Sequence, residues 1–151
     1  MGMYPDVQQK AQEEINRVIG SNRLPQFEDR QRPPYVDAVV KEVLRWHPVA
    51  PMGFRHMSSE ADMCHGYYIP KGALIIANIW GFMHDPNRYC DLMRFHPERF
   101  LSIGDHNPEP DPHLFVFGFG RRKCPGNILA DATIFLTMSQ SLAVFNIGRV
   151  V

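Results

Sequence analysis

The chain has 151 residues, of which 44% are hydrophobic and 21% charged, which is the composition of an ordinary globular domain and excludes a disordered chain. Its sixteen basic residues balance its sixteen acidic ones, so net charge gives no support for nucleic acid as a partner. Three widely spaced cysteines argue against a disulfide framework, and no stretch reaches the roughly 18 apolar residues of a membrane helix. We therefore expect a globular domain without a transmembrane segment, in a reducing compartment.

Two amphipathic helices are predicted in the first third of the chain. Residues 5–19 place apolar side chains on one helical face, and Gly20 follows as a stop signal. A second helix is expected to begin near Pro34 and to end before Pro48. Its repeat of three and four residues predicts a core-facing stripe made of Val36, Val39, Val40, Val43 and Leu44.

The second half of the chain predicts a small β element and one more helix. Strands are expected at residues 66–69 and 73–77, paired as a hairpin about the turn at residues 70–72. Residues 101–113 predict a surface loop. A last helix is expected over about residues 127–145, with an apolar face that packs in the core and comprises Ile128, Ala132, Phe135, Leu136, Leu142 and Ala143. The fold class is therefore mainly α with a small β hairpin (α+β).

The residues that point to chemistry lie just before this last helix, in the stretch Phe117-Gly118-Phe119-Gly120-Arg121-Arg122-Lys123-Cys124-Pro125-Gly126. Because glycine allows left-handed backbone and close approach, Gly118 and Gly120 indicate a tight loop against a flat or bulky group. Cys124 would stand at a helix N-terminus among cations, where a thiol ionises readily and then binds metal. Taken alone, Cys124 is also compatible with a buried structural cysteine that acts as a small hydrophobe.

This stretch resembles the haem-binding loop of the cytochromes P-450, the haem-thiolate monooxygenases, in the spacing of Phe117, Gly120, Arg122, Cys124 and Gly126. The resemblance implies that Cys124 is the axial ligand of the iron of haem b. It further implies that Arg122 meets a haem propionate and that Phe117 and Gly118 border the cofactor.

Two other motifs are similar to motifs of the same family. The predicted second helix contains Glu42 and Arg45 in the spacing of the ExxR motif, and residues 97–100 match the PxRF motif through Arg99. From the helix alone, Glu42 and Arg45 make a solvated ion pair. The resemblance implies instead that Glu42, Arg45 and Arg99 form a triad that stabilises the backbone behind the haem, with a structural and not a catalytic role.

The resemblance also assigns residues nearer the middle of the chain. It implies that His56 is a second propionate partner, with Arg55 as the alternative. The apolar segment before them either connects core elements or borders the substrate pocket, as the resemblance implies for Val49, Ala50, Met52 and Phe54. For His84, a hydrogen-bonded structural role is favoured over that of a ligand.

The activity that the resemblance implies is that of an oxidoreductase, a monooxygenase that inserts one oxygen atom from O2 into a small apolar organic substrate. Electrons would come from an NADPH-dependent reductase, and Arg121 and Lys123 form either a docking surface for it or a solvated basic loop. Family members are much longer. Residues 1–151 are therefore expected to form a single partial domain, the proximal C-terminal part, with weak or absent turnover of its own.

Location and two other functions are left open by the sequence. The motifs resemble microsomal members, which suggests the endoplasmic reticulum membrane, whereas this chain without an anchor would be cytoplasmic. One alternative function is a non-catalytic haem-binding fragment or sensor. The other is a structural zinc-binding protein that uses the seven histidines and three cysteines, although no CxxC or HExxH motif supports it.

Overall fold

A computed structural model describes residues 1–105 and 107–149 of the chain, so His106 of the predicted 101–113 loop lies outside the described residues. Four α-helices and four short strands are found in the described ranges: α1 (Pro5–Val18), α2 (Pro34–Trp46), β1 (His56–Met57), β2 (Asp62–Cys64), β3 (Tyr67–Ile69), β4 (Leu74–Ile75), α3 (Ile79–Met83) and α4 (Asn127–Val144). Short 3₁₀ turns connect them at Phe27–Asp29, Pro97–Phe100, Pro112–Leu114 and Gly120–Arg122. The prediction of a mainly helical fold with a small antiparallel β element is confirmed.

The core lies where α1, α2 and α4 pack against one another. Both α1 and α2 begin with proline in the first turn, where its missing N–H costs nothing. The apolar stripe predicted for α2 is buried except at Val43, which is half-buried. With side chains from α1 and two from α4, the core contains Val7, Ala11, Ile15, Val36, Val39, Val40, Phe135 and Leu142. The three long helices thus share one core, which holds α4 through Phe135 and Leu142.

A buried carboxylate joins α1 to α2. Glu14, on the core face of α1, accepts a hydrogen bond from the backbone N–H of Val36 at 2.9 Å. The first four N–H groups of a helix have no partner inside the helix, so this contact satisfies one of those of α2. The packing of α1 on α2 therefore includes a polar contact as well as apolar ones.

The predicted pairing of residues 66–69 with residues 73–77 is wrong. Strand β3 pairs with β2, and β4 pairs with β1, which gives two separate two-stranded antiparallel sheets. The hairpin that does form is β2–β3, and it turns at His65 and Gly66 with φ of +47° and +85°. Positive φ at both central positions is typical of the type I′ two-residue turn, and glycine supplies the second at no steric cost.

The predicted last helix is present as α4, but part of its predicted apolar face lies outside the core. Phe135 and Leu142 are buried, whereas Ile128 is 75% exposed and Ala143 is also exposed, so the prediction that these two pack in the core is wrong. Ile128 is exposed because it lies in the first turn of α4, next to the loop that contains Cys124, and Ala143 is exposed because it lies in the last turn, on a face that the core does not cover. Within the described ranges, no helix has the length and apolar character needed to cross a membrane.

Candidate functional site

The loop that contains Cys124 is fixed by its own backbone. Gly118 and Gly120 have φ of +77° and +59°, and the 3₁₀ turn Gly120–Arg122 follows directly. The backbone N–H of Cys124 then donates to the carbonyl oxygen of Phe117 at 2.8 Å, which closes the loop. Cys124 is exposed at the end of this loop, three residues before Asn127, the first residue of α4.

The two glycines face open space. A Cβ built on Gly118 or Gly120 would meet no atom of the described chain within 4 Å. The sequence predicts close approach of a flat or bulky group here, and the described part of the protein supplies no such group. The glycines are needed for their backbone angles, and the space beside them is available to a molecule other than this chain.

Replacing Gly120 with alanine is expected to lower the free energy of unfolding by about 1–2 kcal/mol, because an L-residue with a side chain is strained at positive φ. Gly148→Ala is the matched control, since Gly148 lies outside the positive-φ region and an added Cβ there would meet nothing within 4 Å. Urea denaturation of both variants measures the difference. Equal destabilisation would contradict the assignment of strain to Gly120.

The surroundings of Cys124 fit a flat, apolar, anionic group such as haem. Ile128 and Leu129 on the first turn of α4 are 75% and 73% exposed, and Phe119 in the loop is also exposed. Large apolar side chains left uncovered beside an accessible thiol mark a surface that another molecule covers. Arg122 is exposed as well, and no residue of the ranges 1–105 and 107–149 forms a hydrogen bond or an ion pair with its side chain. Thiolate sulfur is one of the donors that bind haem iron in proteins.

The predicted substrate-pocket segment is connected to the Cys124 loop through α3. The backbone N–H of Trp80 donates to the Pro51 carbonyl at 2.8 Å, which anchors residues 49–54 to the start of α3. On the other side of α3, the ring of Phe82 lies 5.9 Å from that of Phe115 and 6.0 Å from that of Phe119. Of the segment's predicted pocket residues, Ala50 is partly exposed and three are exposed, namely Val49, Met52 and Phe54.

The two predicted propionate partners nearer the middle of the chain lie in and beside the short strand β1. His56 is in β1, where it pairs with Ile75, and both it and Arg55 are exposed. Within the described residues, no hydrogen bond or ion pair connects either side chain to residues 117–126. Arg122 therefore shares the loop with Cys124, whereas His56 belongs to β1 and Arg55 directly precedes it.

Glu42, Arg45 and Arg99 are brought together in the interior. Their side chains are 0%, 0% and 2% exposed. The Glu42 carboxylate accepts from Arg45 Nε at 2.7 Å and from Arg45 Nη2 at 2.9 Å, and it lies 3.2 Å from Arg99 Nε. It also accepts the backbone N–H of His96 at 2.8 Å, so it fixes the segment that leads into the 3₁₀ turn Pro97–Phe100.

Sequence reasoning missed the fourth member of this cluster, Glu109. Its carboxylate accepts from Arg99 Nη1 at 2.7 Å and from the backbone N–H of Cys90 at 3.1 Å, and its side chain is only 11% exposed. The buried quartet (Glu42, Arg45, Arg99 and Glu109) thus holds two anions and two cations. Glu109 lies in a proline-rich stretch without periodicity, so no local pattern indicates that its side chain is buried.

His84 has the surroundings of a structural residue. It is buried, its ring stacks on Trp80 with 4.2 Å between centroids, and its Nδ1 lies 3.0 Å from the Trp80 carbonyl oxygen. Burial lowers the pKa of His84 and outweighs the hydrogen bond to Trp80, so the ring is neutral at pH 7. In the part of the chain that the structure describes, no three His, Cys, Asp or Glu residues are grouped so that they could hold a metal ion.

Comparison with known proteins places these features in a family. A family model described as cytochrome P450 matches residues 1–148. Similar curated proteins include the cytochrome P450 monooxygenase claR of Ampulloclitocybe clavipes (56% identity over all of this chain) and the cytochrome P450 monooxygenase ppsD of Aspergillus oryzae (56%, also over all of it). The O-methylsterigmatocystin oxidoreductase of Aspergillus flavus is 51% identical over 98% of the chain. The chain spans 28%, 29% and 28% of the lengths of these relatives.

Proposed function

Because the chain belongs to the cytochrome P450 family, whose members are oxidoreductases that use haem b, O2 and electrons from a reductase, we propose that Cys124 is the thiolate ligand of haem iron in a monooxygenase. When bound, haem supplies the oxygen chemistry of the family, and a thiolate ligand favours cleavage of the O–O bond. We also propose that residues 1–151 form one part of a larger cytochrome P450 domain, the part that provides this ligand.

The observation that supports the proposal most directly is the exposure of Cys124 in a closed, glycine-shaped loop. A structural cysteine that packs as a small hydrophobe would be buried, and Cys124 is not. Cys64 and Cys90 are exposed as well, but of the three only Cys124 precedes a helix whose first turn leaves Ile128 and Leu129 uncovered.

Four residues of the loop have separate roles in this proposal. The Cys124 sulfur binds the iron, and the hydrogen bond from its backbone N–H to Phe117 holds the residue in place. Arg122 donates charge-assisted hydrogen bonds to a propionate. Phe117 and Gly118 border the ring, and Gly118 leaves the space that its approach requires. Further along the chain, His56, or Arg55 in its place, is proposed as a second propionate partner.

The substrate and the electron donor are proposed only by their chemical class. Val49, Ala50, Met52 and Phe54 offer an apolar surface, which suits a small apolar organic substrate that receives one oxygen atom. The exposed cations Arg121 and Lys123 adjoin Cys124 and suit an acidic surface on an NADPH-dependent reductase. Location at the endoplasmic reticulum membrane stays a prediction from the family.

Titration of the purified chain with haem tests the proposal, with the Soret absorbance as the signal. We expect saturation at one haem per chain. Absence of saturable haem binding would contradict the proposal. Zinc found by metal analysis of the purified chain would then favour the alternative of a structural zinc-binding protein. Haem binding without product formation, when a reductase and NADPH are added, would favour the alternative of a haem-binding fragment or sensor without turnover.

A further inference from the structure

A cluster of six ionisable side chains connects the start of the Cys124 loop to three other elements. All six are partly buried, between 17% and 41% exposed. They come from the segment after the first 3₁₀ turn, from α2, from the 3₁₀ turn Pro112–Leu114 and its N-cap, and from α4. This loop-base cluster consists of Arg30, Asp37, Lys41, Asp111, His113 and Asp131.

His113 has a carboxylate oxygen next to each of its two ring nitrogens. Its Nδ1 lies 2.6 Å from Oδ1 of Asp111, and its Nε2 lies 2.7 Å from Oδ1 of Asp131. An ionised carboxylate only accepts hydrogen bonds, so both ring nitrogens must carry a proton to donate. This geometry therefore requires the imidazolium form of His113. Charge-assisted hydrogen bonds of this kind are stronger than neutral ones.

The two carboxylates that contact His113 lie on opposite sides of Cys124 in the chain, Asp111 before it and Asp131 after it. His113 precedes the loop, and Asp131 is on α4 after it, 18 residues later. The His113 ring also stacks on Phe117 with 5.8 Å between centroids, and the Phe117 carbonyl accepts the backbone N–H of Cys124. A continuous set of contacts thus runs from Asp131 through His113 and Phe117 to Cys124.

The charges around His113 favour the imidazolium. Arg30 pairs with Asp37 and Asp131, and Lys41 pairs with Asp37 and Asp111. With His113 charged, the cluster holds three cations and three anions. With His113 neutral, three carboxylates would share two cations, and one nitrogen of the ring would face a carboxylate lone pair without a proton.

We propose that His113, as an imidazolium held between Asp111 and Asp131, is a positioning residue that keeps the two ends of the Cys124 loop together. The consequence for haem rests on the proposed role of Cys124. Burial by itself would lower the pKa of His113, but the hydrogen bonds to Asp111 and Asp131 outweigh it and hold the pKa above its ordinary value of about 6.5. The contribution of His113 to stability is therefore complete below pH ~6.5 and is lost as the pH rises through the higher folded value.

The contribution of Asp111 to stability has the opposite dependence on pH. Burial would raise the pKa of Asp111, but the hydrogen bonds from His113 outweigh it and hold that pKa below its ordinary range. Its contribution is present above pH ~4 and is lost only as the pH falls through the lower folded value. The loop is therefore held most tightly in mildly acidic solution and loosens as the pH rises through the raised pKa of His113.

Hydrogen exchange of the haem-free chain tests the proposal without relying on haem. The protection factor of the Cys124 amide, corrected for intrinsic exchange, is expected to fall about tenfold or more between pH 6 and pH 9. The Ile19 amide, bonded to Ile15 in the turn that ends α1, is the internal control and should not change. His113→Arg, which stays charged and can donate to both carboxylates, should remove the pH dependence, whereas His113→Ala should give low protection at both values.

An unchanged protection factor of the Cys124 amide in the wild-type chain at pH 6 and pH 9 would overturn the proposal. The haem titration separates this failure from failure of the proposed function. Flat exchange together with saturable haem binding would refute the role of His113 and leave Cys124 as the ligand. The expected pH-dependent exchange in a chain that binds no haem would support His113 and refute the haem site.

Discussion

Replacing Glu42 with glutamine is expected to lower the free energy of unfolding by about 3–5 kcal/mol, although the side chain keeps its volume. Glu42 is fully buried, and its carboxylate holds Arg45 at 2.7 Å and Arg99 at 3.2 Å. In the Glu42→Gln chain these two buried cations would lose the carboxylate that they share, and the new amide would turn a donor toward guanidinium groups that cannot accept. The loss would come from uncompensated charge and not from a cavity.

Urea denaturation followed by circular dichroism measures this loss. Glu60→Gln is the control, because Glu60 is exposed and the same chemical change there should stay within about 0.5 kcal/mol. A loss below about 1 kcal/mol for Glu42→Gln would show that the contacts of the buried quartet contribute little net stability. The energy of the Glu42–Arg45 contact would then be that of a solvated ion pair, as predicted from the helix alone, and not that of a buried one.

Replacing Cys124 with alanine is expected to lower the affinity of the chain for haem more than 100-fold. Loss of an outer partner of a metal ligand already costs about 10–100-fold, and this change removes the ligand atom itself. Haem titration measures the affinity. Cys64→Ala and Cys90→Ala are matched controls, because both remove an exposed thiol from another part of the chain and should leave haem affinity unchanged. Equal affinity in all three variants would show that haem, if bound, is held elsewhere.

The helices could be predicted closely because their signals are local. The apolar repeat and the flanking proline and glycine place α1 and α2, and the observed ends differ from the predicted ones by about a residue. The loop of Cys124 was also visible in sequence, since Gly118 and Gly120 both adopt positive φ. In these cases the residues that decide the structure are neighbours in the chain.

The misassigned and missed features depend on contacts between distant residues. Strand pairing went wrong because the strands are two or three residues long and exposed, so no alternation of apolar and polar residues indicated the partner. Glu109 and His113 gave no signal because a single charge in a loop resembles a solvated one until its partner is known. Ile128 continues the apolar stripe of α4, yet periodicity cannot tell which end of a helix extends past the core.

The central claim, that Cys124 binds haem iron as a thiolate, is tested most directly by the reduced carbon monoxide difference spectrum of the haem-reconstituted chain and of Cys124→Ala. The account predicts a thiolate-type band in the wild-type chain that is absent from the variant. A histidine-type band in the wild-type chain, or a band that the substitution leaves unchanged, would contradict it and would show that the exposed sulfur of Cys124 is not the ligand.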